Sequence, residues 1–124
     1  MSQDSQGRYE PPDESSSVAA LASAARTTST NGTAFDTSDL QSLNATLVVS
    51  AASGTDEALD VVLQTTADGT NYYTAGAFPQ QTGTTAGVAR VFGDLGDLSR
   101  WSWTIGGTDT PTFTFAISAT ADRD

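Results

Sequence analysis

Apolar residues in this chain recur at every second position, and that period constrains what it can fold into more than any other feature. In the run ATLVVSA, Ala45, Leu47, Val49 and Ala51 share one face. Leu59, Val61 and Leu63 share another, with Asp60 and Gln64 on the opposite side. Trp101, Trp103 and Ile105 alternate with Arg100, Ser102 and Thr104, and Phe113, Phe115 and Ile117 alternate with Thr112, Thr114, Ala116 and Ser118. Successive side chains of a strand leave opposite faces, so each run reads as a half-buried strand with Thr on the solvated side. Weaker strands are predicted at about 18–26, 33–36, 72–78 and 87–92. The Ala-rich run VAALASAAR at 18–26 could also be written as a helix, but the Ser and Thr clusters that flank it favour a strand.

Turn chemistry separates these runs. Asp68-Gly69 falls between two strand candidates, where a tight hairpin needs it. Gly54-Thr55-Asp56, Gly93–Asp97 and Gly106–Pro111 read as further breaks. The resulting expectation is an all-β fold over residues 18–124: one β-sandwich or jelly roll of about seven to eight short antiparallel strands. The predicted core is Leu47, Val49, Leu59, Val61, Leu63, Trp101, Trp103, Ile105, Phe113, Phe115 and Ile117. Residues 1–17 (MSQDSQGRYEPPDESSS) carry no apolar period and contain Pro11-Pro12, the composition of an extended arm.

Composition limits how strong that core can be. Leu, Ile, Val and Phe number 22 of 124 residues, whereas Ala, Ser, Thr and Gly number 63. A core this thin needs external support, from oligomerisation, a surrounding assembly or high salt. Fifteen acids against five bases, all arginine, give a net charge of −10, with Asp supplying twelve of the acids and lysine absent. That balance points to a halophilic source, where concentrated salt screens the self-repulsion.

The same counts exclude whole classes of chemistry. With no His and no Cys, a disulfide scaffold, a thiolate zinc site, a Cys nucleophile and a His-based triad are impossible within one chain. Scattered arginines cannot build a phosphate-binding face, so no nucleic acid partner is expected. No run approaches membrane-spanning length, and the start lacks a basic segment followed by an apolar one, so neither a membrane partner nor export by a signal peptide is expected.

The remaining candidates each have a plainer reading. Asp56, Glu57 and Asp60, or Asp94 and Asp97, could pair as glycosidase carboxylates or hold a Ca²⁺ or Na⁺ ion, but no metal-loop spacing is present and clusters arise by chance in so acidic a chain. Trp101 and Trp103 could form a sugar-stacking platform, although aromatics at period two usually face a core. Tyr72 and Tyr73 must point to opposite faces, which leaves one available to a partner. Arg90 and Arg100 are expected to pair with carboxylates of the same or an adjacent subunit. The sequons Asn31-Gly32-Thr33 and Asn44-Ala45-Thr46 carry little weight among 20 Thr and 14 Ser. No catalytic residue, cofactor site or metal site is assigned.

Two stretches, LDVVLQTTADGTNYYTAGAF (59–78) and VFGDLGDLSRWSWTIGGTDTPTFTFAISATA (91–121), resemble small virion proteins of tailed viruses. The shared pattern is a strand, a DG turn with a following aromatic, and an ending of the form LG…R…W…GG…P.FTF. The resemblance spans roughly residues 18–121 and implies a β-sandwich accessory component: a capsid decoration or turret subunit, or a neck or tail part. With the lysine-free composition, it implies a viral structural protein from a tailed virus of a haloarchaeal host. Location in the virion and a homo-oligomer are then expected, with the major capsid protein or neck and tail proteins as partners. The alternative is a module binding host-surface glycans through Tyr72 or Tyr73; an enzyme is not expected.

Overall fold

Two long strands carry the architecture. In the computed structural model, which describes residues 2–3, 9–10 and 20–123, β6 (Leu40–Thr66) and β9 (Leu98–Arg123) run antiparallel from Leu40↔Arg123 to Thr66↔Leu98. They are joined by β3 (Leu21–Arg26), β4 (Thr30–Asn31), β5 (Phe35–Asp36), β7 (Tyr73–Ala77) and β8 (Thr85–Phe92) in one seven-stranded antiparallel sheet. Separately, β1 (Ser2–Gln3) pairs with β2 (Tyr9–Glu10) as a short antiparallel ribbon. The rest of the predicted arm, 1–17, lies outside the described residues. The fold is all-β as expected, and no helix occurs among the described residues.

A straight ribbon of 27 residues would reach about 90 Å, far beyond the span of a domain this size. The ribbon therefore bends at its middle. Pairing slips between Val49 and Ala51, Ser53 and Thr55, and Thr55 and Ala58. Opposite those slips, Gly54 (φ 119°), Asp56 (53°), Gly107 (125°), Asp109 (59°) and Thr110 (53°) all hold positive φ. Bulges raise local twist and bend a strand, and strands that turn a corner between packed layers use them. A β-carbon on Gly54 would lie 2.8 Å from the Pro111 Cα, and one on Gly107 2.9 Å from the Glu57 Cα, so the two strands touch backbone to backbone there.

The corner divides the sheet into two ribbons, each four strands across, that face each other. In the first, which we call the alanine half, the strand order is β3, β9 (113–123), β6 (40–49), β8. In the second, the tryptophan half, β4 and β5 flank β9 (98–105), followed by β6 (59–66) and β7. Their interiors interlock: Trp103 meets Phe115 edge-on at 5.6 Å between ring centroids, and Phe92 meets Trp101 at 5.6 Å and Phe78 at 5.5 Å. The result is sandwich-like.

Every predicted core residue packs in this interior except that Ile105, near the corner, is half-buried. The predicted face Ala45, Leu47, Val49, Ala51 holds through Val49 and then fails. The slip after Val49 turns Ala51 to solvent and Ala52 toward the core. Two further expectations are corrected by the same corner. The strands are not uniformly short, and the runs at 54–56 and 106–111 do not end strands but kink them. Asp68-Gly69 does close the β6–β7 hairpin, and the 18–26 run does give a strand, Leu21–Arg26.

At the end away from the corner, the interior of the tryptophan half is polar. The Thr65 hydroxyl donates to the Leu98 carbonyl (2.9 Å) and accepts from the Gly96 N–H (2.7 Å), and the Ser99 hydroxyl donates to Thr65 (3.0 Å). Thr37 donates to the Gly96 carbonyl (2.7 Å) and lies 2.9 Å from Ser99. Thr37, Thr65 and Ser99 are buried, and no buried polar side-chain atom among the described residues lacks a partner. This network ties the loop before β9 to the ends of β5 and β6.

Candidate interaction surfaces

The two halves turn very different faces to solvent. On the alanine half, alternation sends Asn44, Thr46, Val48 and Ser50 of β6 outward, beside Thr114, Ala116, Ser118 and Thr120 of β9 and Ala89 and Val91 of β8. None is charged. Gly87 keeps the surface low, since a β-carbon there would crowd the Thr46 methyl at 3.1 Å. A shallow trough of about 440 Å³ crosses this face between β8, β6 and β9, with Arg90 on its β8 side the single charged residue of its lining. Val91 borders it at 62% exposure, one of only two large hydrophobic residues so exposed among the described residues.

The tryptophan half shows a polar face instead. Arg100 donates from Nε to the Gln64 side chain (2.8 Å) and lies 3.8 Å over the Tyr72 ring. Gln80 donates to both carboxylate oxygens of Asp60 (3.1 and 3.3 Å), and Ser102 donates to the Asn31 side chain (2.7 Å). Tyr73, the other exposed large hydrophobic, stands at 52%. As the alternation requires, one tyrosine is engaged and its neighbour is open.

The acids sit mainly at the two ends. Asp56, Glu57 and Asp109 occupy the corner, where Thr55 donates its hydroxyl to Asp109. Asp36 at the end of β5 and Asp39, Asp68, Asp94 and Asp97 in the connecting segments lie at the opposite end. Of the first carboxylate set suggested by sequence, Asp56 and Glu57 stand at the corner and Asp60 faces Gln80 on the sheet, while Asp94 and Asp97 share the segment before β9. No group of acids that could hold a metal ion occurs among the described residues. Asp68 has a structural task instead. It accepts from the N–H groups of Thr70 and Asn71 (both 2.8 Å), from the Asn71 side chain (2.8 Å) and from the Thr66 hydroxyl (2.9 Å). These donors, the Asn71 N–H foremost, hold its carboxyl well below the ordinary carboxylate range.

Within the chain Arg90 and Arg100 meet aromatic rings, with the Arg90 guanidinium 5.9 Å over Phe92. Arg26, which no sequence pattern singled out, matters more. Its guanidinium covers Phe115 (4.4 Å) and Trp103 (5.1 Å) and donates to the carbonyls of Phe115 (2.7 Å), Ala22 (2.8 Å) and Ala24 (3.0 Å). It closes the open edge of the interior where the two halves meet. Trp101 (2% exposed) and Trp103 (6%) lie in the core, so the stacking platform does not form. Of the sequon asparagines, Asn31 is held by Ser102 and Asn44 lies on the uncharged face. No family model and no curated protein matches the chain.

Proposed function

We propose that this chain is a non-enzymatic structural subunit of a virus particle, a capsid decoration or turret-type accessory that packs against other virion proteins. The observation that carries the assembly reading is the segregation of charge. A chain of net charge −10 keeps the outward positions of β8, of β6 from Asn44 to Ser50 and of β9 from Thr114 to Thr120 free of charged residues. Arg90 is the one charged residue lining the trough there, while most of the placed carboxylates gather at the two ends. Charged residues are depleted at the cores of protein–protein contacts relative to the rest of the surface. The virion part of the reading is supported by the resemblance of residues 59–78 and 91–121 to small proteins of tailed viruses. The haloarchaeal part is supported by the lysine-free, Asp-rich composition.

Particles purified from a producing culture test this directly. Quantitative mass spectrometry should find the chain at fixed stoichiometry to the major capsid protein. Many copies on shell symmetry axes fit decoration or turrets; a dozen or fewer at one vertex move the role to the neck or tail. Its absence from particles defeats the proposal. A glycan-binding role has one observation in its favour, the open ring of Tyr73. Loss of cell attachment on Tyr73→Ala, with particle composition unchanged, would establish it.

A further inference from the structure

We infer that the uncharged outer face of the alanine half is a self-association surface, on which a second copy of this chain docks face to face about a two-fold axis. This deepens the assembly reading and rests on it, by naming the surface and its first partner.

Charge is the first argument. Two copies that each carry −10 repel wherever carboxylates oppose one another, and the described carboxylates crowd the corner and the opposite end. The outer face of β8, β6 and β9 is the broad surface on which two copies can approach to the sheet-packing distance of about 10 Å without opposing like charges. A basic partner would gain most at the acidic ends, which leaves this face to a neutral one. In molar salt the screening length falls to about 3 Å, so the ends cease to repel across the pair.

Shape is the second. A two-fold interface must be complementary to itself. Val91 protrudes at the border of the trough floored by Thr46 and Ser118, so each copy offers both a projecting apolar side chain and a recess. Gly87 and Ala89 keep the β8 side low enough for a second sheet to approach.

Area is the third. The strands β8, β6 and β9, spaced about 4.8 Å apart and about eight residues long at about 3.3 Å each, together with the six-residue β3 beside them, present roughly 480 Å² of projected face. Two copies together bury about 1,000 Å², the lower bound for a specific interface. The pair is therefore a reversible one, which an assembly subunit can still exchange for particle contacts.

Sedimentation equilibrium of the full chain in molar KCl, over a hundredfold concentration range, tests the inference. Ser118→Asp and Thr104→Asp make a matched pair: both sites are exposed on β9, both add one negative charge, and they lie on different halves. The wild type should show a monomer–dimer equilibrium, Ser118→Asp should weaken it roughly tenfold or more, and Thr104→Asp should leave it within about twofold. If circular dichroism shows Ser118→Asp unfolded, Val91→Glu serves in its place with the same expected loss. A wild type that stays monomeric throughout, or variants that dissociate alike, overturns the inference. A monomeric chain that is nonetheless present in particles defeats the two-fold pairing alone, whereas absence from particles defeats the assembly reading.

Discussion

The alanine half and the tryptophan half are built from the same two strands, yet they divide the work of the molecule differently. On the alanine side, β6 and β9 bury Leu43, Leu47, Val49, Phe113, Phe115 and Ile117, with Ala45, Ala119 and Ala121 toward the far end, beneath an uncharged exterior. Past the corner they bury two tryptophans, three leucine and valine side chains and a hydroxyl network, beneath an exterior tied by Arg100, Gln64, Asp60 and Gln80. A period-two pattern specifies which residues go inside but leaves the outward positions free. The chain has used that freedom twice, once for a surface that satisfies its own polar groups and once for a surface with no charge to satisfy.

The largest expected effects ask whether the halves are one cooperative unit. Trp101→Ala and Phe115→Ala each empty a large buried volume, one from each half, and each should cost about 3–5 kcal/mol in urea unfolding at fixed high salt. One transition that shifts for both variants supports a shared core. Two resolved transitions, only one of which moves, would split the molecule at its corner.

Next in size is the corner itself. Gly54→Ala places a β-carbon 2.8 Å from the Pro111 Cα at a φ of 119° and should lose about 1–3 kcal/mol. Gly83→Ala, with open space around it, should change stability by no more than about 0.5 kcal/mol. Equal effects would mean that the corner does not depend on its glycine.

The arginines sharpen the contrast further. Arg26 bridges both halves through Phe115 and Trp103, so Arg26→Ala should cost about 1–2 kcal/mol. Arg100 lies on the outer face of one half only, and Arg100→Ala should cost less than about 1 kcal/mol. A reversed order would place the closure between the halves elsewhere.

The smallest effect is local to the β6–β7 hairpin. Its donors lower the Asp68 pKa on folding, so the ionised carboxylate stabilises the fold at pH values above the ordinary carboxylate range. That contribution fades as pH falls below about 4 toward the depressed folded value. Melting temperature should therefore decline less steeply with acid in Asp68→Asn than in the wild type. An unchanged slope would mean that the hairpin's hydrogen bonds do not govern acid stability.

The sequence made the buried faces legible because burial repeats along a strand. Leu59, Val61 and Leu63, or Phe113, Phe115 and Ile117, can be read without knowing which strand lies beside them. The corner could not be read in the same way. Gly54-Thr55-Asp56 and Gly106–Pro111 carry ordinary turn chemistry, and only their apposition across the ladder makes them a bend within continuous strands. The fate of Ala51 was lost with it, because a single bulge reverses every side chain that follows. Arg26 was illegible for a related reason: its rings come from residues 77 and 89 positions further along the chain, at Trp103 and Phe115. The uncharged face was present in the alternate residues of β6, β8 and β9, but as a surface it exists only once those strands are side by side.

The antiparallel pairing of β6 with β9 also sets an order in time. Thr66 and Leu98 are 32 positions apart (98 − 66), whereas Leu40 and Arg123 are 83 apart (123 − 40). Loop closure for the second pair costs about 0.8 kcal/mol more than for the first. The β6–β7 hairpin, joined by the Asp68 turn, gives the tryptophan half a further local start. Pairing of β6 with β9 is therefore expected to start at Thr66 and Leu98 and to reach Leu40 and Arg123 last. Substitutions around Trp101 and Leu63 should slow folding, while those around Ile117 and Leu47 should mainly speed unfolding.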